Sequence, residues 1–198
     1  HENAVALIDV IDHTLTPMGS RLLKRWLLLP LKDKIVIEER QHAVGYFLEH
    51  PEFSGITGNY LKQVGDLERL ISKVALGKIS PREVQQLRRS LEMVSSIRES
   101  CLNADNTAIR MIADQLNTCQ LIKDRIEKEL HPEAPVMVNK GGVINNGVSE
   151  ELDDLRNISL NGKDYLLKLQ QRETEKTGIS SLKVGFNNVF GYFLEVTH

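Results

Sequence analysis

A chain of 198 residues has room for one large domain or two small ones. Leu, Ile, Val and Phe stand well above the roughly 20% floor below which chains stay disordered, and 13 Gly with 6 Pro disfavour collagen-like, linker-like and turn-dense all-β chains. The formal charge of −2 leaves no overall basic field to draw in phosphate or anionic lipid, so any such contact has to be local.

Thr16-Pro17 is the first firm helix start, because a Thr side chain can accept an orphan N–H while Pro occupies the first helical position without loss. Arg21 to Leu29 continue it, and the basic face of Arg21, Lys24 and Arg25 reads as the rim of a buried helix. Asp33 is the next cap. It opens a segment with Ile35, Val36, Ala43, Val44, Phe47 and Leu48 on one stripe, ending at Pro51. Asp66 leads Leu67, Leu70, Ile71, Val74 and Ala75 at i, i+3, i+4, i+7 and i+8, an amphipathic helix stopped by Gly77. Asp66, Glu68 and Arg69 read as its cap and first-turn charges. Ser80-Pro81-Arg82-Glu83 is a capping box with Pro at the first position, and Val84, Leu87, Leu91, Val94 and Ile97 carry its apolar face onward. From about Asn106 to Leu130 one or two further helices are expected.

Composition shifts at His131-Pro132. Val136 to Val148 reads as a hairpin, two short β-type runs around Gly141-Gly142 followed by an Asn-Asn-Gly turn. Ser149 to about Thr177 holds no proline and a single glycine, with Leu152, Leu155, Ile158, Tyr165, Leu166 and Leu169 near one face, which predicts one long helix. At ~1.5 Å per residue it would reach ~42 Å and must project or brace. Its final stretch, Gln170 to Thr177, is polar, and Gly178 ends it. Leu182, Val184 and Phe186 then alternate with Lys183, Gly185 and Asn187 as a half-buried strand, Asn187-Asn188 turns, and Gly191 to Thr197 returns. A lone hairpin is marginal in water, so the chain is expected to be a piece of a longer one.

Motifs for chemistry are absent. Gly77-Lys78 and Gly162-Lys163 lack the glycine and the Ser/Thr of a P-loop, and neither zinc-protease, EF-hand, nucleophile-elbow nor dinucleotide fingerprints occur. No catalytic residue, cofactor or metal site is expected in this chain, so it is not expected to be an enzyme. Cys101 and Cys119 form neither a disulfide framework nor a C-x-x-C pair, which suits a reducing, cytoplasmic setting. The greasiest run, Trp26 to Leu31, falls far short of the ~20 residues of a membrane helix, so no membrane partner is expected. The carboxylates Glu150, Glu151, Asp153 and Asp154 read as a solvated helix face.

Two features could carry function. Val189-Phe190-Gly191-Tyr192-Phe193 places apolar and aromatic residues on a hairpin tip, where something should cover them. Either Phe190 or Phe193 packs against a further part of the same small domain, or the tip meets a partner. Around Asn187, Asn188, Val189, Phe190 and Gly191, main-chain N–H groups and Asn amides could meet phosphate oxygens, with Lys183 nearby. The triplets Phe47-Leu48-Glu49 and Phe193-Leu194-Glu195 fall inside regular elements and read as coincidental matches to a base-step wedge.

Several stretches together resemble the MutS family of DNA mismatch repair proteins. They are Leu7 to Leu27 with Ile8-Asp9, Asp12-His13-Thr14 and Gly19-Ser20-Arg21-Leu22-Leu23-Lys24-Arg25-Trp26; Val64-Gly65-Asp66-Leu67-Glu68-Arg69-Leu70 with Ser80-Pro81-Arg82; Gly141-Gly142-Val143-Ile144 leading to Glu150-Glu151-Leu152-Asp153; and Arg172-Glu173-Thr174-Glu175-Lys176-Thr177-Gly178 with Leu182-Lys183-Val184-Gly185-Phe186-Asn187 and Gly191-Tyr192. The resemblance implies a mainly α fold, a helical core or lever bundle over residues 1–170 with a long projecting helix, and a truncated β clamp tip over 171–198. It also implies that Asn187, Asn188, Val189 and Phe190 belong to a hairpin touching the backbone of double-stranded DNA. For the longer parent it implies ATP and Mg2+, a homodimer and a possible downstream repair protein. The piece at hand would couple a distant ATPase to the clamp. The rival expectation is a helical protein-interaction scaffold with no nucleic-acid role.

Overall fold

The structure, a computed structural model, describes residues 5–196. Thr197, the expected end of the return strand, lies outside them. The chain is mainly helical and divides into two compact units, His1–Asn145 and Asn146–His198.

The first unit holds α1 (Leu7–Ile11), α2 (Pro17–Leu28), α3 (Lys34–Glu49), α4 (Pro51–Leu61), α5 (Leu67–Ala75), α6 (Pro81–Leu102), α7 (Thr107–Gln115) and α8 (Gln120–Glu129). The expected caps form. Thr16 Oγ1 accepts from the Gly19 amide at 3.0 Å, Asp33 Oδ1 from Ile35 at 2.9 Å and Asp66 Oδ1 from Arg69 at 3.2 Å. At Ser80 the reciprocal box is complete: its hydroxyl accepts from the Glu83 amide, its own amide donates to Glu83 Oε2 at 2.9 Å, and Lys73 pairs with the same carboxylate. Two helices escape the sequence reading. α1 is a five-residue turn, and α4 begins where α3 was expected simply to stop, since His50 ends α3 and Pro51 takes the first position of α4.

α6 is the axis of this unit, packing against α4, α5, α7 and α8. Ile109 and Ala113 of α7 are fully buried with Val64, Ile97, Cys101 and Ala104, and Ala43, Phe47 and Phe53 close over them. A second cluster joins Leu70 of α5 to Leu87 and Leu91 of α6. The stripes of α2 and α3 are only partly used. α2 buries no residue, Leu28 is 80% exposed, and Ile35, Val44 and Leu48 of α3 face outward, so the expectation of a buried α2 does not hold.

The expected hairpin over 136–148 is not there. Val138–Lys140 is a single 3-10 turn, Gly141 and Gly142 both take positive φ (71° and 66°), and the only pairing is an isolated antiparallel bridge between Leu130 and Ile144. The physical reason lies at the end of α8. The Asn145 side-chain amide donates to the carbonyls of Glu127, Lys128 and Leu130 at 2.9–3.2 Å, and the Asn145 and His131 amides donate to Glu129 and Val143. The segment satisfies the orphan carbonyls of a helix instead of its own opposite strand. Gln85 of α6 completes the work by donating to Leu130 and His131, each at 3.0 Å.

The second unit holds α9 (Glu150–Leu160), α10 (Gly162–Thr177), β1 (Leu182–Asn187) and β2 (Gly191–Val196). One long helix was expected; there are two, separated at Asn161, whose φ of −109° and ψ of 34° leave the helical region. Gly178 ends α10 with φ +72°, as its position after the last helical turn requires. The strands pair antiparallel from Leu182 opposite Val196 to Asn187 opposite Gly191, a two-stranded sheet.

Candidate nucleic-acid interface

The hairpin's geometry follows from its side-chain pairs. Gly185 lies opposite Phe193, and a Cβ built on Gly185 would stand 2.6 Å from the Phe193 ring, so the ring lies over the bare backbone of its partner. Next to it, Phe186 and Tyr192 are paired with ring centroids 4.9 Å apart. Phe193 therefore finds part of its cover within the hairpin itself, on a residue whose lack of a side chain gave the sequence reading nothing to pair, and stays 41% exposed. Leu182 is the one buried residue of the second unit among those described.

The loop closes differently. Gly191 takes φ +74°, and the Val189 amide donates to Asn187 Oδ1 at 2.7 Å. That is an Asx turn, an Asn side chain capturing the amide two residues on. It spends two of the expected phosphate-facing groups on each other, leaving the Asn188 and Phe190 amides as the loop's main-chain donors toward an outside acceptor. Val189 and Phe190 are 79% and 83% exposed at the apex. Asn187 and Asn188 are exposed beside them, Gly191 is half-buried, and Lys183 stands exposed on β1 opposite Glu195. The structure thus brings Asn187, Asn188, Val189, Phe190 and Gly191 into one loop and sets Lys183 four residues down the strand. The sequence reading missed the Asx turn, although an Asn two residues before an amide at a loop tip is its usual signal.

Two other sets of charged groups serve the fold. Arg21, on the basic face of α2, is held by Asp66 at 2.7 and 2.9 Å and by Glu68 at 2.6 and 2.9 Å. The Arg21 guanidinium holds the Asp66 carboxyl below its ordinary range. Asp66 is at once the cap of α5 and the anchor of α2, a contact the sequence reading did not contain. Asp153 pairs with Arg156 at 3.0 Å and accepts from the Gly147 amide at 2.6 Å. No cluster of His, Cys, Asp or Glu that could hold a metal occurs among the described residues, and no described helix is long and apolar enough to cross a membrane.

With bundle, helices and hairpin in place, residues 1–188 match the family model described as MutS domain III. The chain belongs to the MutS family. Its relatives include the DNA mismatch repair protein MutS of Parabacteroides distasonis, 56% identical over 99% of this chain and 22% of that protein, and that of Bacteroides thetaiotaomicron, 54% identical over 99% and 23%. MutS of Flavobacterium psychrophilum is 52% identical over 98% of this chain and 22% of its own length. The chain therefore spans less than a quarter of the MutS proteins it matches.

Proposed function

We propose that this chain is the core or lever region, with the first part of the clamp, of a DNA mismatch repair protein that binds mismatched double-stranded DNA. Residues 1–170 serve as lever and 171–198 as the opening of the clamp. Its work is mechanical: it transmits the nucleotide state of a distant ATPase, which binds ATP and Mg2+ elsewhere in the parent, to a clamp that holds the DNA backbone without reading sequence. The chain itself catalyses nothing. The parent acts as a homodimer in the cytoplasm and hands the lesion to a downstream repair protein.

The observation that carries the reading is the hairpin loop, where Asn187, Asn188, Val189, Phe190 and Gly191 stand together with main-chain donors and no charged side chain, and Lys183 is the one Lys or Arg among the described residues of the hairpin. Such a loop grips phosphate through amides and contributes few ionic contacts. The test is the slope of log K against log salt for the intact parent on mismatched duplex, with and without Lys183→Ala. The expected change is about 0.9 or less, the share of one phosphate contact. A steep slope abolished by that one substitution overturns main-chain contact. ATP hydrolysis by the isolated chain, expected to be nil, would equally refute the assignment of chemistry to another region. The scaffold alternative has no observation in its favour.

A further inference from the structure

The break between α9 and α10 falls at Asn161-Gly162. No proline forces it, and Asn161 makes no side-chain capping bond to α10. The helical ladder lapses over a short span. The Asn161 amide closes α9 on the Asn157 carbonyl at 2.8 Å, and the Tyr165 amide opens α10 on the Asn161 carbonyl at 3.0 Å. Between them stand the amides of Gly162, Lys163 and Asp164, which a continuous helix would pair with the carbonyls four residues back.

The side-chain pattern, by contrast, runs straight through. The apolar residues Leu152, Leu155, Ile158, Tyr165, Leu166 and Leu169 keep near one helical face across the break, and Asn157, Ile158, Asn161, Asp164, Tyr165 and Lys168, mostly polar, stand at i, i+1, i+4, i+7, i+8 and i+11 beside it. In the structure the latter six residues line a notch of about 190 Å³, which a straight helix would replace with a ridge. A Cβ added at Gly162 would touch nothing within 4 Å, so no packing demands a glycine there. The sequence period supports one helix and the backbone adopts two.

We propose that Asn161, followed by Gly162, is a one-residue hinge, at which α9 and α10 exchange between the broken form seen here and a continuous helix that closes the notch. Only Asn161 has to change region, from ψ 34° to helical values, for three further backbone hydrogen bonds to form. Asn favours local non-helical conformations and Gly is the weakest non-proline helix former, so the pair holds the two forms close in free energy. The hinge rests on the chain's own geometry and stands whether or not the mismatch-repair reading does. Under that reading it would sit within the lever.

Residue-resolved amide exchange on the full chain tests it. Gly162→Ala favours the continuous form, and protection of the Lys163 and Asp164 amides should rise about fivefold. Gly162→Pro is tolerated at a first helical position but drives Asn161 from the helical region, so the same two amides should lose protection below the unsubstituted chain. The cross-strand amides of β1 and β2, in the same unit but away from the break, should keep their protection in both variants and so report intact folding. The order Ala above unsubstituted above Pro supports the hinge. Equal protection in the unsubstituted and Pro chains with no rise for Ala shows a fixed break, and protection in the unsubstituted chain equal to the middle of α9 shows no break in solution; either result overturns it.

Discussion

The two units of this chain are held together by different means. In the first, α6 is wrapped by four other helices around fully buried Ile109 and Ala113. In the second, Leu182 is the one buried residue described, and order comes from helix ladders, an Asx turn, one cross-strand ring pair and a ring laid over Gly185. A packed core is cooperative and depends on residues far apart in sequence. A unit built from neighbours along the chain can change shape at one residue, as the Asn161 break illustrates, without unpacking anything.

Four substitutions sharpen or break that contrast. Ile109→Ala removes a fully buried side chain and should cost about 2–5 kcal/mol in denaturant unfolding of the first unit. A loss under about 1 kcal/mol would deny the first unit its core. Ser80→Ala dismantles the capping box of α6, the axis of the unit, and should cost about 1 kcal/mol by the same measurement. Gly185→Ala pushes Phe193 off the hairpin and should cost roughly 0.5–1 kcal/mol, visible as faster amide exchange across β1 and β2 with no change around Ile109. An effect reaching Ile109 would mean the two units share one cooperative transition.

The smallest effect is in acid. Hydrogen bonding from Lys73, then from the Ser80 amide and hydroxyl, lowers the Glu83 carboxyl from 4.5 to about 2. Because the folded value is the lower one, Glu83 contributes stability above pH 4.5, and that contribution is lost as pH falls toward 2. Glu83→Gln should therefore flatten the pH dependence of unfolding within this window and leave it unchanged above. An unchanged acid limb would show that the Lys73 and Ser80 contacts are not kept in solution.

Much of the first unit was legible because its signals are local. Thr16, Asp33, Asp66 and Ser80 each announce a helix through the amide they accept, and all four do so. α4 was lost because Pro51 carries two meanings, stop and start, and periodicity favoured the first. The hairpin expected over 136–148 failed for another reason: Gly141-Gly142 and Asn145-Asn146-Gly147 look like turns, yet Asn145 is recruited by the end of α8, which no local reading can foresee. At the hairpin tip the turn was legible but not its hydrogen bonding, since Asn187 Oδ1 takes the Val189 amide.

What the sequence alone determined was a share of what is written in neighbouring residues: the starts of α2, α3, α5 and α6, the β1–β2 alternation, and the stretches shared with MutS. Tertiary structure decided which apolar stripes are buried, since only packing separates Ile109 from the equally apolar Leu28, and which polar groups serve distant partners, as Arg21 does for Asp66 and Glu68. The physical reason is range. Caps, turns and periodicity act within about one helical turn, whereas burial and ion pairing depend on where the rest of the chain comes to lie.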